Sequence, residues 1–231
     1  MLLKNSASQY AGFLEEWLEH LQDYKVNTPE QTAVMVVDMN NGFCNQGALA
    51  SPRVNAVISP IVSLLRKAWA GGVREFYLLN DTHEPDAVEF AAFPPHCVRG
   101  TAESLPVQEI RNLEFFDLMH SVEKNSISST QETGLLSKLQ ARPGLKEFII
   151  VGNCTDLCVY QLAMALRLDA NARQVKERRI IIPADCVATY DTPVELAKEL
   201  GAAPHPGDII HAVFLHHMAL NAVDVVKQVV L

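Results

Sequence analysis

The 231-residue sequence has no apolar run close to the roughly 20 residues that a helix needs to span a bilayer. Its first residues lack the charged region, apolar core and cleavage site of a signal peptide. Basic residues are also scarce, with 19 Lys and Arg against 27 Asp and Glu and a formal net charge of −8. These absences argue against a membrane span, a nucleic-acid partner or binding to an anionic lipid surface. We expect a cytoplasmic protein that acts on a small molecule.

Cysteines are few and odd in number. The five are Cys44, Cys97, Cys154, Cys158 and Cys186. An odd count in a chain of this size argues against a disulfide framework. Cys154 and Cys158 have no matching second pair, which argues against a structural zinc site. Their spacing is also not the usual one for redox pairs, although a labile disulfide between them stays an alternative. Reduced thiols in the cytoplasm are the simpler interpretation.

The chain divides into a short N-terminal segment and one domain. Apolar residues recur at helical spacing from Tyr10 to Leu21, and Thr28-Pro29 ends that pattern. We therefore predict a helical extension over residues 1–30, packed on the domain or on a partner subunit. Residues 31–231 form the domain, and in a chain that is 48% hydrophobic this length is enough to bury one core.

In the domain, apolar runs alternate with helical patterns. Predicted strands are Ala33–Val37, Glu75–Leu79, Phe148–Val151 and Arg179–Ile182, with short ones near Ser121–Val122 and Ala212–Phe214. Predicted helices lie near Arg53–Ala70, Gly134–Ala141, Leu157–Ala172, Pro193–Leu200 and Ala219–Val229. Continuously apolar strands are typical of a parallel sheet covered on both faces. The pattern predicts a three-layer αβα fold with a mostly parallel sheet, whose ligands bind at the carboxyl ends of the strands.

Reactive residue types follow several of these strands. Asp38 follows the first strand, Lys124 follows a short apolar segment, and Cys158 lies on the turn after Phe148–Val151. A thiol at the start of a helix lies near the positive end of the helix dipole, which favours thiolate. Each residue also has a plain alternative, since aspartates cap turns, lysines solvate surfaces and lone cysteines pack in cores.

A second group has the composition of a metal site. In Asp81-x-His83, both side chains of an extended chain can point to one side, and Pro94-Pro95 would hold His96 on a stiff loop. A carboxylate and two imidazoles suit a divalent transition metal and leave positions open for water or substrate. Glu89 is a candidate fourth ligand, directly or through water, or else a solvated loop acid.

Taken in order, these motifs resemble the nicotinamidase/pyrazinamidase family of the isochorismatase-like cysteine hydrolases, over roughly residues 32–190. The motifs that carry the resemblance are Asp38, Asp81-x-His83, Phe93-Pro-Pro-His96-Cys97-x-x-Gly-Thr, Lys124 and Cys158. The resemblance implies a parallel sheet of about six strands between helices. It implies that Cys158 is the nucleophile, Asp38 the base and later the acid, and Lys124 the third member of a triad.

The resemblance also implies details of the surrounding site. The Asn153–Cys154 peptide bond is expected to be cis, and the backbone N–H groups of Cys154 and Cys158 to form an oxyanion hole. Phe43 and Phe93 match aromatic positions that flank the substrate ring. The implied metal ligands are Asp81, His83 and His96, with Glu89 standing where some relatives have a histidine. The ion is expected to be zinc, with iron and manganese as alternatives.

The function implied by this resemblance is metal-dependent hydrolysis of nicotinamide to nicotinate and ammonia through a thioester. A carbamoyl or ureide amidohydrolase of the same superfamily is the first alternative, and a catalytically inactive binding module is the second. We expect a homo-oligomer, as in related enzymes. His211, His216 and His217 near the C-terminus are interpreted as a helix or strand face rather than as ligands.

Overall fold

The computed structural model describes residues 2–231, with side chains from Asn5 onward. Its helices are α1 (Leu2–Glu19), α2 (Asn41–Cys44), α3 (Pro52–Ala56), α4 (Ile58–Ala70), α5 (Gln108–Arg111), α6 (Leu135–Gln140), α7 (Cys158–Ala172), α8 (Val194–Leu200) and α9 (Gly207–Leu220). Its strands are β1 (Tyr24–Lys25), β2 (Thr32–Val37), β3 (Glu75–Asp81), β4 (His120–Lys124), β5 (Glu147–Asn153), β6 (Arg179–Pro183), β7 (Val187–Ala188), β8 (Asp224–Val226) and β9 (Val229–Val230). The helices cover both faces of a sheet, which confirms the predicted three-layer α/β class. Among the helices described, none has both the length and the apolar character to cross a bilayer.

The main sheet has seven strands in the described chain, and every pairing is parallel. Six of these strands lie side by side in the order β4-β3-β2-β5-β6-β8, which agrees with the predicted number of about six. The seventh, β7, is two residues long and pairs with the end of β5, where it was too short to predict. A separate parallel pair joins β1 to β9.

The sheet buries two apolar layers, one on each face. Along β2 all six residues are buried, as a continuously apolar strand predicts. Val34 and Val36 pack with α4 on one face, whereas Met35 and Val37 pack with α6, α7 and α9 on the other. Burying each such side chain contributes about 1.5–3 kcal/mol, so the central strands are rigid supports for the residues that follow them.

The C-terminal segment departs from the prediction. The predicted strand at Ala212–Phe214 lies inside α9, where Ala212, Leu215 and Met218 are buried at intervals of three residues. The helix predicted over Ala219–Val229 is also wrong, because α9 ends at Leu220 and Ala222 adopts a left-handed φ of 61°. The valine-rich residues after that point form β8 and β9, as β-branched side chains favour.

The N-terminal segment packs on the C-terminal one. Helix α1 lies against α9, with the Tyr10 hydroxyl 2.8 Å from His216 Nδ1 and the Trp17 ring centroid 5.2 Å from that of His216. Tyr24 of β1 pairs with Val229 of β9. The extension therefore packs on the same chain, while a domain boundary at residue 30 stays a prediction.

Gly152 lets the two central strands meet where the site forms. It stands opposite Val37 in the register of β2 and β5 and has a φ of 118°. A Cβ at this position would overlap the backbone carbonyl of Val37. Only glycine allows this approach and this dihedral angle, which brings Asp38 beside the turn that follows β5.

Candidate active site

The carboxyl ends of four adjacent strands, β4, β3, β2 and β5, meet at one edge of the sheet. Lys124 ends β4, Asp81 ends β3, Asp38 follows β2, and Cys158 lies just beyond β5 as the first residue of α7. The reactive atoms of Asp38, Asp81 and Cys158 all lie within 4.8 Å of one another. Lys124 reaches into the same cluster and contacts both Asp38 and Cys158, so the structure brings together the predicted triad of Asp38, Lys124 and Cys158, with Asp81 beside it.

Lys124 is the centre of this cluster and is fully buried. Its Nζ lies 2.8 Å from Asp38 Oδ2 and 3.6 Å from Cys158 Sγ, and it also contacts Asp81 Oδ1. Burial alone would lower the pKa of this amine, but the carboxylates of Asp38 and Asp81 outweigh burial and raise it well above its usual value. Lys124 is therefore a permanent cation that offsets the charge of two buried carboxylates.

Asp38 has the electrostatics of a base. Burial raises its pKa to about 6, the neighbouring Asp81 adds to the rise, and Lys124 opposes it. Its Oδ1 accepts a hydrogen bond from the Asp81 N–H at 2.7 Å, and its backbone has a left-handed φ of 50°. A carboxylate with this pKa is ionised near neutral pH and can still accept a proton.

The thiol of Cys158 differs from the sequence-based expectation. Its position at the first residue of α7 was expected to favour thiolate, but the side chain is buried and burial raises its pKa well above the usual value, with Lys124 only partly opposing this. The effect of burial on the pKa is larger than that of the helix dipole, because the dipole supplies only a partial charge at the first turn whereas burial removes the solvation of the full thiolate charge. The resting thiol is neutral, so it needs a neighbouring base to act as a nucleophile.

The turn between β5 and α7 is held by its neighbours. The Asn153–Cys154 peptide bond is cis, as predicted. Asn153 Nδ2 donates to the carbonyl oxygen of Asp38 at 2.5 Å, and Thr155 N donates to Ala188 O at 3.0 Å. Within the described chain, the N–H groups of Cys154 and Cys158 have no backbone acceptor. Both donors are thus free to stabilise a negative oxygen near the thiol.

The predicted metal ligands also come together. One ligand atom from each of Asp81, His83, Glu89 and His96 lies within 4.8 Å of the others. His83 Nε2 is 3.5 Å from Asp81 Oδ2 and 3.8 Å from Glu89 Oε1, and His96 Nε2 is 3.7 Å from Asp81 Oδ2. Two imidazoles and two carboxylates around one point form a donor set for a divalent transition metal.

The orientation of the two imidazoles fits a cation as well. His83 Nδ1 lies 3.0 Å from Asn125 Oδ1, and His96 Nδ1 lies 2.8 Å from Pro94 O. Both partners are acceptors, so each Nδ1 carries the hydrogen and each Nε2 presents a lone pair to the cluster. His83 Nε2 is buried without a hydrogen-bond partner. These residues fit a metal ion.

Aromatic side chains line the metal cluster. The predicted Phe43 and Phe93 have ring centroids 5.4 Å and 6.4 Å from that of His96. Phe90 was not predicted, yet its ring lies 5.3 Å from His83 and 5.6 Å from His96. No signal in a single sequence marks Phe90, because it lies in a 3₁₀ turn, Val88–Ala91, that is too short to show a periodic pattern.

The family follows from comparison of the whole chain. Residues 32–201 match the model of the Isochorismatase domain, which is more than half of the sequence. The chain belongs to the isochorismatase domain family. It is thereby a hydrolase of the isochorismatase-like type, and the resemblance read from its motifs is confirmed.

Two curated relatives of this isochorismatase-like hydrolase differ in their substrates. Nicotinamidase 1 of Arabidopsis thaliana is 28% identical over 227 residues, which cover 88% of each chain. Streptothricin hydrolase of Streptomyces noursei is 31% identical over 182 residues, which cover 78% of this chain and 55% of the relative. The family is thus clear, and the exact substrate stays open.

Solved structures of similar fold include three hydrolases. A cysteine hydrolase from Pseudomonas syringae has a TM-score of 0.71 at 22% identity, covering 90% of this chain and 92% of its own. Pyrazinamidase of Pyrococcus horikoshii in complex with zinc has a TM-score of 0.65 at 22% identity, covering 85% and 99%. N-carbamoylsarcosine amidase from Thermoplasma acidophilum has a TM-score of 0.59 at 28% identity, covering 77% and 97%.

His211 of α9, which was predicted to be structural, contacts the turn between β5 and α7. Its Nδ1 lies 2.8 Å from the hydroxyl of Thr155. Burial lowers its pKa to about 4, with Arg53 acting in the same direction and Asp156 and Asp208 against it. The folded protein therefore holds this imidazole neutral at pH values where the unfolded chain, with a histidine pKa near 6.5, is protonated.

We expect this histidine to contribute to acid sensitivity. The folded pKa is depressed, so the contribution of His211 to stability is complete above about pH 6.5 and falls as the pH drops toward 4. When the pH is lowered from 7 to 4.5, the free energy of unfolding should fall for both proteins. The fall should be smaller in His211→Gln than in the wild type, by on the order of 2 kcal/mol. Urea unfolding at both pH values measures this. The exposed His217→Gln is the control, and equal losses in wild type and His211→Gln would contradict the assignment.

Proposed function

We propose that this chain is a metal-dependent cysteine amidohydrolase that converts nicotinamide to nicotinate and ammonia through a thioester intermediate. The observation that carries the proposal is the position of Asp81 between the two clusters. Its Oδ1 contacts Lys124 Nζ, which touches the thiol, and its Oδ2 faces the imidazoles of His83 and His96. A substrate with a carboxamide at one end and a basic ring atom at the other would span these two clusters.

The reaction would begin with transfer of the Cys158 thiol proton to Asp38. The thiolate attacks the carbonyl carbon, and the free N–H groups of Cys154 and Cys158 stabilise the oxygen as it becomes negative. Asp38 returns the proton to the nitrogen, so that ammonia leaves neutral as the C–N bond breaks. Asp38 then takes a proton from water, whose oxygen attacks the thioester, and nicotinate leaves as the thiol is restored.

The metal ligands would be Asp81, His83, His96 and Glu89. We propose zinc, because two imidazoles with carboxylates suit that ion and the Pyrococcus pyrazinamidase was solved with zinc; iron and manganese are the alternatives. When bound, such an ion supplies a Lewis acid that orients a ring nitrogen. Phe43 and Phe93, together with Phe90, would then enclose the substrate ring.

The experiment that tests this function is an ammonia-release assay. Purified protein is given nicotinamide, pyrazinamide and N-carbamoyl amino acids in parallel, with and without a chelator. We expect release from nicotinamide and pyrazinamide, suppression by the chelator and recovery on adding zinc. An absence of ammonia from nicotinamide with metal-loaded protein would refute the proposal.

A carbamoyl or ureide amidohydrolase is the second candidate. It is favoured by the 28% identity to N-carbamoylsarcosine amidase. The same nucleophile, base and oxyanion donors would serve a carbamoyl group. Ammonia release from carbamoyl compounds alone, insensitive to the chelator, would select this function.

His96→Ala should remove a metal ligand without touching the triad. We expect the bound metal to fall from about one ion per chain to a small fraction after dialysis, and the KM for nicotinamide to rise by about tenfold or more. Elemental analysis and initial rates measure the two effects. His120→Ala is the matched control, since His120 is a partly exposed histidine on β4 that pairs with Glu75. Unchanged metal content in His96→Ala would rule out this site.

A further inference from the structure

Behind the catalytic turn lies a cluster that the roles above do not use. It consists of Asp156 in the turn, Thr189 and Tyr190 after β7, and His205 before α9. We propose that His205 is a positioning residue, which acts through Asp156 to fix the oxyanion donors of the turn. The inference rests on the proposed cysteine hydrolase chemistry, and it adds a residue that lies outside the family match to residues 32–201.

The carboxylate of Asp156 is almost completely buried and fully engaged. Its Oδ1 accepts a hydrogen bond from Thr189 Oγ1 at 2.5 Å, and its Oδ2 lies 2.9 Å from His205 Nε2. The two partners belong to different segments of the chain. A buried carboxylate that loses one of two such partners must move or take up water, because a buried oxygen without a hydrogen-bond donor is strongly unfavourable.

His205 is itself held on three sides. Its Nδ1 lies 3.0 Å from Tyr190 O, and its ring stacks on the Tyr190 ring at a centroid distance of 3.8 Å and an interplanar angle of 14°. Its backbone exchanges two hydrogen bonds with Thr192, each 2.8 Å long. The imidazole is therefore a fixed support, and both of its hydrogen-bond partners, a carbonyl and a carboxylate, are acceptors.

His205 contacts Asp156, which lies at the centre of the turn between β5 and α7. Asp156 lies two residues after Cys154 and two residues before Cys158, whose N–H groups are the free donors. Leu157, between Asp156 and Cys158, has an irregular backbone with φ −114° and ψ −101°, so no regular secondary structure fixes this part of the turn. Oxyanion donors work only when they are held within a fraction of an ångström, so movement of Asp156 would weaken them.

Two reagents separate oxyanion stabilisation from thiol reactivity. In acylation by p-nitrophenyl acetate, Asp38 takes the thiol proton, Cys158 Sγ bonds to the carbonyl carbon, the oxygen becomes negative, and p-nitrophenolate leaves with the electron pair of the broken C–O bond. In alkylation by iodoacetamide, sulfur displaces iodide from carbon and no oxyanion forms. Neither reagent requires recognition of nicotinamide. Peptide mass spectrometry assigns each rate to Cys158, with Cys158→Ala giving the background from other thiols.

His205→Ala and Asp156→Ala, which leave no polar atom to rebuild this hydrogen bond, should slow acylation of Cys158 by about 10–100-fold while alkylation stays within about twofold of wild type. If nicotinamide is a substrate, its kcat should fall by a similar factor at unchanged KM. The double variant should be no slower than either single one, because both changes remove the same contact. His20→Ala is the control, since His20 is an exposed histidine that directly follows α1, and it should leave both rates unchanged.

An unchanged ratio of acylation to alkylation in both variants would overturn the proposal. A parallel fall of both rates with a lowered melting temperature would also overturn it, since His205 would then only support the fold. The proposed function is tested separately: a wild type that p-nitrophenyl acetate acylates but that releases no ammonia from nicotinamide refutes the nicotinamidase activity and leaves the role of His205 measurable.

Discussion

Ammonia release from nicotinamide is expected to fall by at least about 10³-fold in Cys158→Ala, with metal content and fold unchanged. The reason is that the Cys158 sulfur, which lies beside Lys124, Asp38 and the donor N–H groups of the turn, is the proposed nucleophile. Alanine keeps the backbone donors and the apolar packing of the first turn of α7 but has no atom that can bond to the substrate carbonyl. Initial rates and elemental analysis on the same preparations measure both quantities.

The control for this variant is Cys186→Ala. Cys186 is also a buried thiol, directly before β7, but its charged neighbour is Asp185 and it lies outside the cluster formed by Asp38, Asp81, Lys124 and Cys158. Its replacement should change the rate by less than about threefold. If Cys158→Ala kept more than one hundredth of the wild-type turnover, the covalent mechanism would be wrong, and direct attack by water would have to replace it.

The cluster at the sheet edge could be predicted because its geometry follows from strand order. Asp38, Asp81 and Lys124 each end a strand or follow it directly, and parallel neighbouring strands end at the same edge. The chain stays extended for two residues past the end of β3, where His83 forms a bridge with Val98, and this sets Asp81 and His83 on one side. Here local pattern and tertiary structure agree.

The state of the thiol could not be predicted in the same way. The sequence places Cys158 at the start of a helix, which favours thiolate, but its pKa depends on burial and on Asp38 and Asp81 from other strands. Those contacts exist only in the folded chain. The pairing of Asp156 with His205 is hidden for a similar reason, since 49 residues separate them and neither belongs to a periodic pattern.

The error at the C-terminus has a different cause. The run from Ala212 to Phe214 is apolar enough for a buried strand, and short apolar runs do not distinguish a strand from a helix that packs against a neighbour. This segment forms helix α9 and not a strand, because one face of the helix is buried against the sheet beside α7 and another part of its surface is covered by α1. The valines from Val223 onward, which were predicted to continue a helix, instead form the last sheet strand and the pairing with β1.

Lys124 contacts Asp38, Asp81 and Cys158, and replacing it should lower turnover nearly as much as replacing the nucleophile. Lys124→Met keeps a chain of similar length and removes the charge. The carboxylates of Asp38 and Asp81 then face each other and the thiol without a cation. Removing one partner from a buried ion pair costs about 3–5 kcal/mol of stability. The same change raises the proton affinity of Asp38 and Cys158 further, so turnover should fall by at least about 10³-fold.

Urea unfolding at pH 7 and ammonia release measure the two effects, and Lys124→Arg separates them. Arginine restores the positive charge, so it should recover part of the lost stability, but its planar guanidinium cannot occupy the same point between Asp38, Asp81, the Ser126 carbonyl and the Cys158 sulfur. We therefore expect Lys124→Arg to be more stable than Lys124→Met and still at least about 10²-fold slower than wild type. Turnover within tenfold of wild type in Lys124→Met would show that the cation only supports the fold, and that Asp38 alone activates the thiol.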